Sequence, residues 1–185
     1  MSKEDILETD QAWTGATRVS RKAGLLLASL VAVFDVSKAF LPTFAAITLW
    51  PDKELLQIVV AATASLGHSR SIFLGFKGGK AVSTTAGGFF ALAVEQPYLW
   101  IAFVPAITIF ISAILISRGL VSLGSLLGSV SGVLTIFVLL LMGLVPFWYF
   151  VGPLVGVSLT VVLHSGNIKR LIEGNEHHTK PKLLW

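Results

Sequence analysis

Apolar residues run along most of this chain, and polar residues gather in a few short connections. Stretches 23–49, 98–116, 120–141 and 147–163 are each long enough to cross a bilayer as a helix, since a core of about 30 Å needs about 20 residues at 1.5 Å each. Two further apolar stretches, 55–66 and 81–94, are shorter. The first of them reaches only about 18 Å as a helix, well short of the core. Trp50-Pro51-Asp52-Lys53-Glu54, Glu95-Gln96-Pro97-Tyr98 and the turn at Gly143 to Pro146 stop helices with proline, and Trp50, Trp148 and Tyr149 suit an interface. Pro105 and Pro153 fall inside spans, where each is expected to bend its helix. The pattern predicts an all-α, polytopic integral membrane helix bundle. It has about six membrane segments, two of them short. The whole chain, 1–185, forms one domain, with a polar lead at 1–22 and a polar tail at 165–185.

Composition agrees. Charged residues make up 13% of the chain against about 25% in soluble domains, and mean hydropathy is +0.81. Cysteine is absent, which excludes disulfides, a thiolate nucleophile and a cysteine metal site. The lead lacks the apolar core of a signal peptide. The net charge of +4 matters by its placement. Lys and Arg concentrate in the lead, in the stretch around residues 67–80, at Arg118 and in the tail, while the turns at Pro51, Pro97 and Pro146 carry almost none. Positive charge marks the cytoplasmic side. Three helical hairpins put all the basic connections and both termini there.

One connection carries unusual chemistry. Gly67-His68-Ser69-Arg70-Ser71-Ile72-Phe73-Leu74-Gly75-Phe76-Lys77-Gly78-Gly79-Lys80 combines glycines with a His, an Arg and two Lys. Glycine lets backbone N–H groups approach a ligand, and the cations balance an anion, most often phosphate. A P-loop is excluded by register: Gly75 lies one position too close to Gly79-Lys80, and Ala81 stands where Ser or Thr would hold magnesium. A bland reading, a basic loop that only orients the protein, leaves the glycines unexplained. A helix starting after Lys80 would aim its free N–H groups and positive dipole end at a bound anion. Asp35 and Lys38, three apart within the first span, share a helical face and can neutralise each other, either as a structural pair or as support for the site. Ser122 and Ser125 open one span, and His164 with Asn167 closes another. By topology, Arg21, the glycine loop with Lys77 and Lys80, Ser122 with Ser125 and His164 with Asn167 converge on one membrane face. His177-His178 has too few companion ligands for a metal site and reads as solvated tail.

These residues resemble the PlsY family of bacterial membrane acyltransferases, from about Thr14 to Glu176. The family's central motif, roughly Gly-His-x-Phe-Pro-x-Phe-Leu-Gly-Phe-Lys-Gly-Gly-Lys-Gly-Val-Ala-Thr, is matched by Gly67-His68, Phe73 to Lys80 and Val82. Its first motif, ending Gly-Ala-Thr-Asn-x-x-Arg-x-x-Gly with a later Asp and Lys, is matched by Gly15-Ala16-Thr17, Arg21, Gly24, Asp35 and Lys38. Val121 to Ser125 resembles the middle motif, and His164 with Asn167 to Leu171, Gly174 and Glu176 the last. Departures are equally definite. The first motif's opening Gly-Ser-Gly-Asn falls on Asp10, Gln11, Ala12 and Trp13, the Phe-Pro of the central motif on Arg70-Ser71, and its Gly after Lys80 on Ala81. Only polar sequence precedes Thr14, where the family has another membrane helix.

The resemblance implies transfer of a fatty acyl group from acyl phosphate to glycerol 3-phosphate, giving lysophosphatidic acid, with no covalent enzyme intermediate, no cofactor and no metal. It implies a monomer in the bacterial inner membrane with its site facing the cytoplasm, and no nucleic-acid partner. Arg21 and Lys80 would hold phosphate with Lys77 in support, joined by Gly78, Gly79, Thr17, Ser122 and Ser125. His164 and Asn167 would act on the attacking hydroxyl, and His68, Asp35 and Lys38 would brace the site. The acyl chain would lie between helices in room left by small residues such as Gly87 and Gly88. Two rivals remain open at the level of sequence: a family member that binds a phosphorylated metabolite or lipid without acyl transfer, and a small transporter.

Overall fold

Seven helices follow one another in the computed structural model, which describes residues 15–76 and 78–179, without the side chains of Arg21, Lys22 and Leu74. They are α1 (Ala16–Leu49), α2 (Glu54–Ser69), α3 (Val82–Glu95), α4 (Trp100–Ile116), α5 (Val121–Leu141), α6 (Phe147–Leu163) and α7 (Ser165–Ile172). Short 3-10 turns at Ile72–Leu74 and Pro97–Leu99 complete the secondary structure, and no strand occurs among the described residues. Gln11, Trp13, Lys77 and the end of the tail lie outside the description.

Three segments, Ala23–Leu49, Pro97–Ile116 and Val121–Leu141, are long and apolar enough to cross a membrane. Helices α6 and α7, bent by 59° at their junction, supply a fourth if taken as one broken span. Gly24 separates the basic first turns of α1 from its apolar length, because its backbone (φ 85°, ψ 174°) leaves the helical region.

Two expectations need correction. Helix α2 runs 16 residues, not twelve, because Gly67, His68 and Ser69 keep helical backbone up to Arg70, whose N–H bonds the Leu66 carbonyl. At about 24 Å it is still short of the core. The tail is also not simply solvated: α7 leaves the end of α6 at a 59° bend, and the chain after it is pinned to the α4–α5 turn by a 2.8 Å bond from Thr179 N–H to the Gly119 carbonyl.

Small residues let the helices pack, as expected where lipid offers no hydrophobic drive. Gly124, Gly128 and Gly132 recur every four residues along α5 and meet successively earlier residues of α4: Phe110 and Ile114, then Ala106 and Phe110, then Ala106. That order makes the pair antiparallel. A Cβ on Gly128 would stand 2.7 Å from the Ala106 carbonyl oxygen, so the two backbones nearly touch. Gly87 of α3 does the same against the Val36 carbonyl of α1, and Gly88 meets Ala61 of α2. These two glycines therefore seat α3 against its neighbours and leave no room there for an acyl chain. The best-packed core, which includes Ile47, Ile58, Leu99, Ile136, Val145 and Tyr149, gathers at the end of the bundle that holds the proline turns. The other end, which carries the basic connections, is hollow.

Candidate active site

A polar cavity of about 990 Å³ occupies the basic end. Its wall brings together Thr17 and Arg18 from the first turn of α1, Asp35 further along it, His68 from α2 and Lys80 after the glycine loop. The start of α3 adds Ala81 to Ser83, α5 adds Ser122 and Ser125, and the α6–α7 corner adds His164, Asn167 and Arg170. The first N–H groups of a helix have no intrahelical partner, so the α3 terminus offers donors and a positive dipole end at this wall. The N-cap Ala81 is buried and has left-handed backbone (φ 59°, ψ 5°), a conformation glycine adopts more readily.

His164 sits one residue beyond the α6 span and is 2% exposed. Its Nδ1 lies 2.8 Å from the Thr160 carbonyl oxygen. A carbonyl only accepts, so Nδ1 carries the proton and neutral Nε2 keeps a lone pair. Burial holds the imidazole below its ordinary value of 6.5; the Thr160 carbonyl opposes that shift, Lys80 reinforces it and Glu176 opposes it.

Beside His164 the structure builds a network whose centre went unassigned in the sequence. The Glu176 carboxylate, 8% exposed, receives the Asn167 amide at 2.7 Å and the Ser122 hydroxyl at 3.1 Å on Oε1, and Arg170 Nε at 2.8 Å on Oε2. Ser122 thus spends its proton on Glu176 and orients that carboxylate. Ser125 donates to the Val121 carbonyl at 2.9 Å, as helix-interior serines do, while still lining the cavity. Glu176 was legible only as the acid that follows Gly174 in the last matched run. His177 and His178 stand at the cavity wall, with His178 Nδ1 3.2 Å from the Arg118 carbonyl, so the pair is part of the cavity edge rather than free tail.

On the α1–α2 side, Lys38 Nζ bonds Asp35 Oδ1 at 2.7 Å, and His68 Nδ1 lies 3.4 Å from the same oxygen. The predicted pair forms, and His68 extends it. The His68 carbonyl also receives the Gly79 N–H at 3.3 Å, and a Cβ on Gly78 would collide with that carbonyl. Gly78 and Gly79 are buried against the end of α2 and do not line the cavity. Their close backbone approach is to protein, at the His68 carbonyl, one and two residues before Lys80. The Arg21 side chain and Lys77 lie outside the described residues.

A second, apolar cavity of about 320 Å³ lies deeper in the bundle, and Val82, Ser83, Phe110 and Ser125 line both. Phe89, Phe90 and Phe103 wall it, the last two stacked with ring centroids 4.4 Å apart. Gly128, Gly132, Gly152 and Gly156 supply the small surfaces that Gly87 and Gly88 were expected to give. The polar and apolar cavities thus share one wall.

The profile of the family described as glycerol-3-phosphate acyltransferase matches residues 1–174. The chain belongs to that family. It is 35% identical over 96% of its length to the glycerol-3-phosphate acyltransferase of Maridesulfovibrio salexigens, covering 85% of that protein. It is 38% identical over 95% of its length to the enzyme of that name from Endomicrobium trichonymphae, covering 82% of it. Among solved structures it resembles PlsY, an integral membrane glycerol 3-phosphate acyltransferase, in two crystal structures. In the glycerol 3-phosphate form the TM-score is 0.78 at 30% identity, covering 95% of this chain and 82% of that one. In the lysophosphatidic acid form it is 0.74 at 31%, covering 89% and 78%. Within this acyltransferase family the departures at Arg70 and Ser71 fall at the α2 cap, outside the cavity wall. Ala81 is a departure in the wall itself.

Proposed function

We propose that the protein transfers a fatty acyl group from an acyl phosphate to glycerol 3-phosphate at the polar cavity. The observation that carries this reading is the shared wall of the two cavities, Val82, Ser83, Phe110 and Ser125: cations, a helix N-terminus, an imidazole and an amide on one side of it, and an apolar cavity on the other. The acceptor hydroxyl attacks the acyl carbonyl carbon, the bond from that carbon to the phosphate oxygen breaks, and inorganic phosphate leaves. His164 Nε2 accepts the hydroxyl's hydrogen bond and aims its oxygen. As the bond forms, Nε2 takes that proton and hands it to the departing phosphate, which is basic enough to carry it away and leaves the imidazole neutral. The second N–H of the Asn167 amide, whose first is committed to Glu176, serves the developing oxyanion. Lys80, the α3 terminus and Arg21 hold phosphate, with Lys77 in support, and the Asp35–Lys38–His68 cluster sets the glycine loop.

The distribution of charge supports six segments in the bacterial inner membrane, α2 and α3 being the short ones, with both termini and the cavity on the cytoplasmic side.

Purified protein in lipidic phase, given palmitoyl phosphate and glycerol 3-phosphate, is expected to release inorganic phosphate. Lys80→Met is expected to lower turnover at least about a hundredfold, the scale of losing one preorganised charge contact. Phosphate release that survives Lys80→Met unchanged removes Lys80 from the site. Folded protein that binds glycerol 3-phosphate without turnover moves the reading to a binding protein.

A further inference from the structure

Between α2 and α3 the chain makes a tight apolar turn whose side chains the bundle leaves uncovered. After the α2 cap at Arg70 it folds from Ser71 to Phe76, with the Gly75 N–H on the Ile72 carbonyl at 3.3 Å and the Phe76 N–H on the Ser71 carbonyl at 2.8 Å. Gly75 and Phe76 both have left-handed backbone, at φ 60° and 62°. Glycine adopts that conformation freely, whereas a phenylalanine rarely does. The turn presents Phe73 at 97% exposure, Ile72 at 76% and Phe76 at 63%. None of the three lines either cavity. Large apolar side chains exposed side by side mark a contact surface.

Helix lengths say what that surface meets. Helix α2 has 16 residues and α3 has 14, about 24 and 21 Å against a hydrocarbon core of about 30 Å. Trp50 before α2 and Tyr98 after α3, both exposed, suit the interface at the proline-turn end. Measured from there, the turn that joins the other ends lies about 6–9 Å inside the opposite edge of the core. Apolar faces of interfacial segments sink about 5–10 Å into the same boundary. The two backbone bonds within the turn satisfy N–H groups that lipid could not. Arg70, exposed at its base, has a side chain long enough to snorkel to the lipid phosphates.

We propose that the turn from Ile72 to Phe76 is a membrane anchor, sunk into the boundary between headgroups and acyl chains on the basic side of the bilayer. The proposal rests on the six-segment arrangement and not on acyl transfer. Its consequence for the site is position. Lys80 and the first residue of α3, Val82, follow Phe76 by four and six residues and both line the polar cavity. An anchored turn therefore holds that wall at the depth where a lipid-borne phosphate meets water.

The chain has no cysteine, so one introduced cysteine carries one spin label. The test uses full-length protein in nanodiscs of phosphatidylcholine and phosphatidylglycerol, labelled at Ile72→Cys or Phe73→Cys. Both side chains are largely bare, so neither substitution removes packing. Paramagnetic resonance then compares collisions with oxygen, which concentrates in lipid, and with a nickel chelate, which stays in water. Val59→Cys, exposed within α2, and Asp52→Cys, exposed in the turn before it, give the lipid and water references. The oxygen-to-nickel ratio at both turn positions is expected to lie nearer the Val59 reference. Adding Phe73→Asp to Ile72→Cys is expected to shift the Ile72 label toward water, while adding Phe73→Leu leaves it in place. A ratio equal to the Asp52 reference overturns the proposal. So does shielding from both reagents, which would mean that protein covers the turn, and so does an Ile72 label unmoved by Phe73→Asp. A Val59 label that reads as water overturns the six-segment arrangement itself, and the anchor with it.

Discussion

The Asn167 amide donates a 2.7 Å hydrogen bond to Oε1 of Glu176. Ser122 shares that oxygen and Arg170 takes the other, so one buried carboxylate fixes α5, α7 and the segment after α7 around the cavity. Removing it strands an amide, a hydroxyl and a guanidinium together. Glu176→Ala is expected to cost about 2 kcal/mol of stability, the usual penalty for buried polar groups left unmatched, and to lower kcat more than it raises KM, because Asn167 loses its orientation. Glu176→Gln keeps the shape and one acceptor and is expected to fall between. Thermal melting and steady-state kinetics of both variants check this. Glu176→Ala with parental kcat would show that Asn167 needs no such hold.

Two glycines of the same motif are expected to behave oppositely. A Cβ on Gly78 collides with the His68 carbonyl, so Gly78→Ala must push the loop bearing Lys80 off the end of α2. Overpacking of this kind costs about 1–3 kcal/mol, and activity is expected to collapse. Gly67 sits inside α2 with nothing within 4 Å of its Cβ position. Gly67→Ala exchanges a poor helix former for the best and is expected to stabilise by up to about 1 kcal/mol with turnover unchanged. Melting curves and phosphate release separate the two. Equal behaviour would mean that backbone contact is not what the motif's glycines provide.

Much of the bundle is legible in the sequence because lipid enforces it. Long apolar runs bounded by proline turns mark α4, α5 and α6 and the end of α1 within a residue or two, while α1 starts seven residues before its apolar run, in the basic stretch read as lead. The short helices are harder. Gly67 reads as loop in isolation, but in α2 its backbone is simply helical, and only the packed structure shows it. Gly78 and Gly79 read as a phosphate cradle because glycine marks close backbone approach, and the sequence does not say whether ligand or protein approaches. Gly87 and Gly88 fail for the same reason. His164, Asn167, Lys80 and Ser125 were found and do meet in one cavity. Glu176 was not, because a lone acid in a polar tail looks like surface until the chain folds it inward.

His164 gives a pH dependence with a definite sign. Its pKa lies below 6.5, chiefly because burial disfavours the imidazolium. Neutral Nε2 is the form that accepts the acceptor's hydroxyl, so kcat is expected to hold as pH falls to 6.5 and to drop only below it. The unfolded chain binds the proton first, so stability also declines as pH falls through 6.5 and levels off below the folded value. A kcat profile against pH, compared with His164→Gln, checks the assignment: the variant is slower and lacks this limb. An acid limb centred at or above 6.5 in the parent would assign it to another group.

The apolar cavity gives a prediction about the donor's tail. Ser125, which lines both cavities, and Val133, which lines only the apolar one, are eight residues apart on α5, or about 12 Å along its axis. A tail entering beside Ser125 meets Val133 only after running that depth. Val133→Phe is therefore expected to block the inner part of the channel and spare its mouth. Turnover with palmitoyl phosphate should fall at least about tenfold, since each methylene kept from burial forfeits about 0.8 kcal/mol. Turnover with a donor too short to reach Val133, such as hexanoyl phosphate, should be unchanged, and KM for glycerol 3-phosphate should not move. Ratios of kcat/KM for the two donors in parent and variant decide it. Parental turnover with both donors would place the acyl chain elsewhere, against the lipid-facing surface of the bundle, and would leave the apolar cavity without a role in the reaction.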